Sequence, residues 1–123
     1  MGLLRIMTSA PASANHDSAD SGDAYCLGKG ALQGTHGEAS IQVDWTGIVG
    51  GVDATVAVWV SNTGVRYKPK TSNGSPLVIA VDSLGTGAAI VSLNGVVTEQ
   101  FVKLVYDKGA VSAGTIDAYI YTK

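Results

Sequence analysis

Alternation of apolar and polar residues with a period of two dominates the chain from residue 39 onward. In residues 39–45, Ile41, Val43 and Trp45 fall on one face and Gln42 and Asp44 on the other, as a half-buried strand requires. Residues 54–61 repeat the pattern, with Ala54, Val56, Val58 and Val60 set against Thr55, Ala57, Trp59 and Ser61. Gly47, Gly50 and Gly51 mark a turn between the two, and Asn62-Thr63-Gly64 leads into a short strand over 65–68 that completes a hairpin. A polar loop over 69–76 precedes Leu77-Val78-Ile79-Ala80-Val81, an unbroken apolar run suited to a strand buried on both faces. Gly85-Thr86-Gly87 separates that run from a strand over 88–93, and Asn94-Gly95 is a strong two-residue hairpin signal continued by 96–98. Residues 101–107 and 115–122 read as a terminal antiparallel hairpin, with Val102, Leu104 and Tyr106 on the same side as Ile116, Ala118 and Ile120. No window carries helical periodicity free of Gly or turn clusters. The fold expected is therefore all-β, an antiparallel sandwich of the jelly-roll or immunoglobulin-like kind with about seven to nine short strands.

The first 22 residues read differently. Residues 8–22 are dominated by Ala, Ser and Asp without periodicity, and every valine lies at or beyond Val43. Such a segment has little apolar surface to offset the entropy of ordering it. Residues 1–22 are expected to be a flexible arm, either disordered or ordered by a neighbouring subunit through residues such as Arg5 and Ile6. Residues 23–123 are expected to form the sandwich domain.

Composition supports this reading and narrows the chemistry. Val and Ile number 15 and 7 against 8 Leu, and there are 16 Gly, a strand-and-turn composition. Charged residues are only 15% of the chain, and 8 Lys and Arg against 10 Asp and Glu leave a net charge of −2. A nucleic-acid partner is not expected from that balance. The opening Gly2-Leu3-Leu4-Arg5-Ile6-Met7 is too short for a secretory apolar region, no run approaches a bilayer span, and membrane association is likewise not expected.

Candidate chemistry is sparse. Cys26 is the single cysteine, expected to be an inert thiol, and of the only two histidines, His16 and His36, the first lies in the expected arm, so a His-based metal site or a Ser-His-Asp triad would rest on His36 alone. The run Gly28-Lys29-Gly30-Ala31-Leu32-Gln33-Gly34 has the wrong glycine spacing for a phosphate loop and is followed by a strand. Asp44, Asp82, Asp107 and Asp117 sit on strand faces or ends where solvated carboxylates are ordinary. No catalytic residue, cofactor or metal is expected, and the chain reads as non-enzymatic. What remains is aromatic. Trp59 shares a strand face with Thr55 and Ser61, while Tyr119 and Tyr121 share theirs with Thr115 and Asp117. These three rings either point outward, as at interfaces and sugar platforms, or are covered by a second sheet or loop.

Three stretches carry a resemblance: Ile41-Gln42-Val43-Asp44-Trp45-Thr46-Gly47, Val58-Trp59-Val60-Ser61-Asn62-Thr63-Gly64, and Phe101-Val102-Lys103-Leu104-Val105-Tyr106 with Gly114-Thr115 before the last strand. Over residues 39–123 their order resembles small β-sandwich structural proteins of bacteriophage virions. The resemblance implies a capsid decoration or cement protein, made in the host cytoplasm and incorporated into the virion. Its partners would be the major capsid protein or another virion protein, and further copies of itself, with a homotrimer at threefold or quasi-threefold axes. The interface residues expected are Trp59, Tyr67, Tyr119, Tyr121, Arg5 and Ile6. The alternative is a carbohydrate-binding module in which Trp59, Tyr67 and Tyr119 stack on sugar rings.

Overall fold

A computed structural model describes residues 2–18, 25–26, 39–63, 65–93 and 101–122. Its strands are β1 (Gly2–Pro11), β2 (His16–Asp17), β3 (Tyr25–Cys26), β4 (Ala39–Val49), β5 (Ala54–Ser61), β6 (Lys68–Pro69), β7 (Thr71–Ser72), β8 (Ser75–Pro76), β9 (Val78–Val81), β10 (Gly85–Ser92), β11 (Phe101–Asp107) and β12 (Ala113–Thr122). Seven have four residues or more and the other five have two, and no α-helix occurs among the described residues. Two antiparallel sheets pack face to face. One has the order β1-β12-β4-β10, and in the other β11 and β5 pair at the centre, flanked by β2 and β3 on one side and by β6 and β9 on the other. The all-β sandwich expected from alternation is the fold observed.

The core lies between the sheets and is filled by the alternating residues already picked out. Ile41, Val43 and Trp45 of β4 and Ile116, Ala118 and Ile120 of β12 meet Val56, Val58 and Val60 of β5 and Val102, Leu104 and Tyr106 of β11. All twelve are buried. Strand pairing, however, departs from the expected terminal hairpin. β11 pairs with β5 from Phe101 opposite Ser61 to Asp107 opposite Thr55, whereas β12 pairs with β4 and β1 in the opposite sheet. The connection between β11 and β12 thus crosses the sandwich. Two strands whose apolar residues face a common core have the same alternation whether they share a sheet or oppose one another, so the pattern did not distinguish the two arrangements.

The described part of residues 1–22 is built into the sandwich rather than forming a separate arm. β1 pairs along β12 from Gly2 opposite Thr122 to Pro11 opposite Thr115, with register shifts between Arg5 and Met7 and between Met7 and Ala10. These bulges insert extra residues, which is why Ile6 and Met7, neighbours in sequence, are both in the core. Ser9, at φ 46°, lies within the second irregularity, where its N–H donates to Asp117 Oδ1 at 2.8 Å. Beyond β1, the Ala12 N–H donates to the Gly114 carbonyl, and Ala12 is fully buried. Bulges erase period-two alternation, so the strand left no alternating trace in the sequence.

Three further expectations are corrected. The run over 77–81 is an edge strand beside β5, with Ile79 and Val81 inward and Val78 and Ala80 exposed, not a strand buried on both faces. Gly85, Thr86 and Gly87 belong to β10 rather than preceding it, and β4 continues through Thr46 and Gly47 to Val49. Within the expected loop over 69–76, Asn73 and Gly74, at φ 54° and 81°, turn a small hairpin of β7 and β8. Its base is tied to a single residue: the Lys70 N–H donates to the Val58 carbonyl, the Val58 N–H to the Leu77 carbonyl, and the Leu77 N–H to the Lys70 carbonyl. The expected Asn94-Gly95 turn and its continuation lie outside the described residues.

Candidate functional site

The sandwich divides the expected interface residues among three places. Trp59 lies on the outer face of the second sheet, directly across from Lys103 in the pairing of β5 with β11. The Lys103 ammonium sits 5.4 Å from the centroid of the Trp59 ring and 4.8 Å from that of Tyr67. It also pairs with Asp17 Oδ2 at 2.7 Å, linking β2 to β11. Lys103 is thus a half-buried cation held by two π faces and one carboxylate, a cluster that no local motif announced because its members come from four segments. Beside it, an open groove of ≈ 580 Å³ is lined by Val60, Ser61, Asn62, Arg66, Tyr67 and Lys68. Ser61 shapes its floor, accepting a hydrogen bond from the Thr63 N–H at 3.0 Å.

Tyr119 and Tyr121 occupy the outer face of the other sheet. The register places Tyr119 between Arg5 of β1 and Gln42 of β4, and Tyr121 between Leu3 and Ser40. Gln42 is opposite Ile90 of β10 in turn, so Arg5, Tyr119, Gln42 and Ile90 stand at one level across all four strands. The adjacent level holds two carboxylates, Asp117 opposite Asp44, and Gln42 Nε2 donates to Asp44 Oδ1 at 2.8 Å. Trp59 and Tyr67 on one side of the molecule and Tyr119 and Tyr121 on the other cannot share one ligand. Ile6, only 3% exposed, faces the core and is corrected from interface residue to core residue.

Sequence reading overlooked the edge that β10 forms among the described residues. Its residues Gly85–Ser92 include no charged side chain and no proline, and from Gly87 to Ser92 they register one for one with β4. Ile90 is 66% exposed. Even the inward-facing Gly87, Ala89 and Val91 are only half-buried, so this side of the core is incompletely closed by the described residues. β10 has one register shift, between Gly85 and Gly87, whereas β1 has two and the second sheet is edged, among the described residues, by strands of two to four residues. An uncharged run of eight residues in the sequence was the available signal.

Among the described residues, no group of three or more His, Cys, Asp and Glu side chains is arranged to hold a metal ion. His16 donates through Nε2 to the Pro11 carbonyl at 2.6 Å and stacks on Tyr106 with ring centroids 6.0 Å apart. The Tyr106 hydroxyl donates to the Ala12 carbonyl at 2.8 Å. Burial raises the Tyr106 pKa above its ordinary value, and the nearby carboxylates of Asp107 and Asp53 push it the same way. His36 and the Gly28–Gly34 run lie outside the described residues, as does the Cys26 side chain. No helix among the described residues is long and apolar enough to cross a membrane. No protein family, no curated protein and no solved structure matches this chain.

Proposed function

We propose that the chain is a non-enzymatic virion structural protein that decorates and stabilises a bacteriophage capsid as a homotrimer seated on the major capsid protein. The observation that carries this reading is the edge that β10 forms among the described residues, with its exposed Ile90. A regular, uncharged edge strand beside an exposed apolar side chain is a surface that soluble monomers ordinarily blunt, and an assembly protein retains it for pairing. The outward Tyr121 on the same face adds an aromatic of the kind that anchors interfaces. The resemblance of β4, β5, β11 and β12 to small virion proteins supplies the capsid context. Mass spectrometry of purified particles from cells carrying the gene is the direct test. The chain is expected at a copy number comparable to that of the capsid protein, and a chain absent from particles overturns the reading.

A second reading is favoured by one specific arrangement. Trp59 and Tyr67 flank Lys103 beside the groove, so a sugar-binding platform would use those two rings, without Tyr119 on the opposite face. Binding to a glycan array that is lost in Trp59→Ala, by a chain not found in particles, would support the carbohydrate module instead.

A further inference from the structure

The hairpin of β7 and β8 carries an Asn-Gly pair at its tip. Asn73 and Gly74, at φ 54° and 81°, are the central residues of the turn, which is closed by the pairing of Thr71 with Pro76 and Ser72 with Ser75. Positive φ at both positions selects Asn followed by Gly, because Asn tolerates the left-handed region and Gly has no Cβ to clash there. The same choice leaves a reactive sequence in the open. Both residues are exposed, and a Cβ built at Gly74 would meet nothing within 4 Å. Gly74 thus has no side chain of its own, and no neighbouring group among the described residues crowds the place where one would stand. The other described asparagines differ. Asn15 precedes His16, and its Oδ1 accepts the Lys108 N–H at 2.9 Å; Asn62 precedes Thr63, whose β-branched side chain hinders approach to the peptide between them.

We infer that Asn73 is a site of spontaneous deamidation in the folded protein. The main-chain nitrogen of Gly74 loses its proton and attacks Cγ of Asn73, the bond from Cγ to the side-chain nitrogen breaks, and that nitrogen leaves as ammonia. The five-membered succinimide so formed is opened by water at either of its carbonyls, giving aspartate or isoaspartate. One water is consumed, one ammonia is released, and nothing is oxidised or reduced. The attack requires rotation about the Asn73 Cα–C bond, away from the turn geometry, so its rate follows the opening of the hairpin tip. Two-residue strands hold that tip by few contacts, and such exposed tips open at low cost. The hydrogen bonds joining Lys70, Val58 and Leu77 at the base confine the opening to residues 71–76. Either product adds one negative charge. In isoaspartate the main chain also runs through Cβ, which lengthens the turn and takes Ser72 out of register with Ser75. The inference is independent of the capsid and carbohydrate readings, neither of which uses this hairpin.

Incubation of the full chain without denaturant, at neutral and at mildly alkaline pH, followed by tandem mass spectrometry, tests it. The tryptic peptide over 71–103 contains both Asn73 and Asn94, so fragment ions must place the mass gain of NH₂ becoming OH. The gain is expected to accumulate at Asn73 ahead of Asn15 and Asn62, as a mixture of aspartate and isoaspartate, and to accumulate faster at the higher pH because the attacking nitrogen must be deprotonated. Asn73→Gly, which keeps the turn because Gly accommodates positive φ, is expected to abolish the gain within 71–76 and leave the sheet spectrum unchanged. In the aged wild type, amide hydrogen exchange is expected to quicken within 71–76 and to stay unchanged in β5. An Asn73 that keeps its amide at both pH values, a gain confined to Asn94, or a gain at Asn73 that requires unfolding in urea would overturn the inference. Quickened exchange that spreads into β5 would overturn the confinement of the change to the hairpin.

Discussion

Gly87 lies flat against the indole of Trp45: a Cβ at Gly87 would stand 2.7 Å from Cε2 and Cζ2 of that ring. Trp45 is buried, and its Nε1 donates to Ser83 Oγ at 3.1 Å, so the ring has little freedom to retreat. Gly87→Ala is therefore expected to destabilise the fold by about 1–3 kcal/mol through overpacking, measured by urea denaturation. An unchanged midpoint would show that β10 moves away from β4 at no cost.

Tyr106 should make the protein sensitive to alkali. Its folded pKa is raised, so above the ordinary tyrosine value the unfolded chain loses this proton while the folded chain keeps it. The unfolded state then binds fewer protons, and stability falls as pH rises from about 10 toward the folded pKa. Tyr106→Phe is expected to flatten that decline. At neutral pH the same substitution removes the bond to the Ala12 carbonyl and is expected to cost about 1–2 kcal/mol. Denaturant midpoints of both proteins from neutral pH to about pH 11 provide the check.

The packing of β1 into the core makes the N-terminal segment part of the cooperative unit. Ile6→Ala is expected to cost about 2–5 kcal/mol, as for other buried aliphatic residues. In limited proteolysis of the isolated chain, the Arg5–Ile6 bond is expected to survive as long as bonds within β11. Rapid cleavage there, with the remainder intact, would mean that β1 opens independently.

Lys103 joins three neighbours, so Lys103→Ala and Asp17→Asn are not equivalent. Both break the ion pair, which is part-exposed and contributes about 1 kcal/mol or less. Only Lys103→Ala also removes the cation from the Trp59 and Tyr67 rings. A change in Trp59 fluorescence is expected for Lys103→Ala, and little change for Asp17→Asn. Equal spectral changes would indicate that Lys103 leaves the rings once Asp17 is neutral.

Ile90→Lys tests the edge of β10. The side chain is largely exposed, so folding stability is expected to change by no more than about 0.5 kcal/mol. A charge on an otherwise uncharged edge is expected to suppress lateral association, read in sedimentation velocity as the absence of the proposed trimer. A trimer that persists in the variant would place the contact elsewhere.

Much of the core was legible before any tertiary information. Alternation assigned Ile41, Val43, Trp45, Val56, Val58, Leu104, Tyr106 and Ile120 to an inward face, and all are buried. Recognition of the candidate surfaces was less complete. The sequence left open whether Trp59 points outward or is covered, and Lys103, Asp17 and Arg66 join it only because β5, β11, β2 and the segment before β6 meet in space.

What the sequence determined by itself was the all-β class and the side of β4, β5, β11 and β12 that faces inward, because side chains alternate across a strand whatever its partner. Tertiary structure decided which strands pair. It placed β11 and β12 in opposite sheets, drew the bulged β1 into the core, and left β10 at an edge among the described residues. The physical reason is that alternation records only burial, and burial against a partner in the same sheet or across the sandwich satisfies the same apolar face equally well. Pairing is selected by contacts between residues far apart in sequence, such as Tyr106 with Ala12 and Gly87 with Trp45, and a local pattern does not encode them.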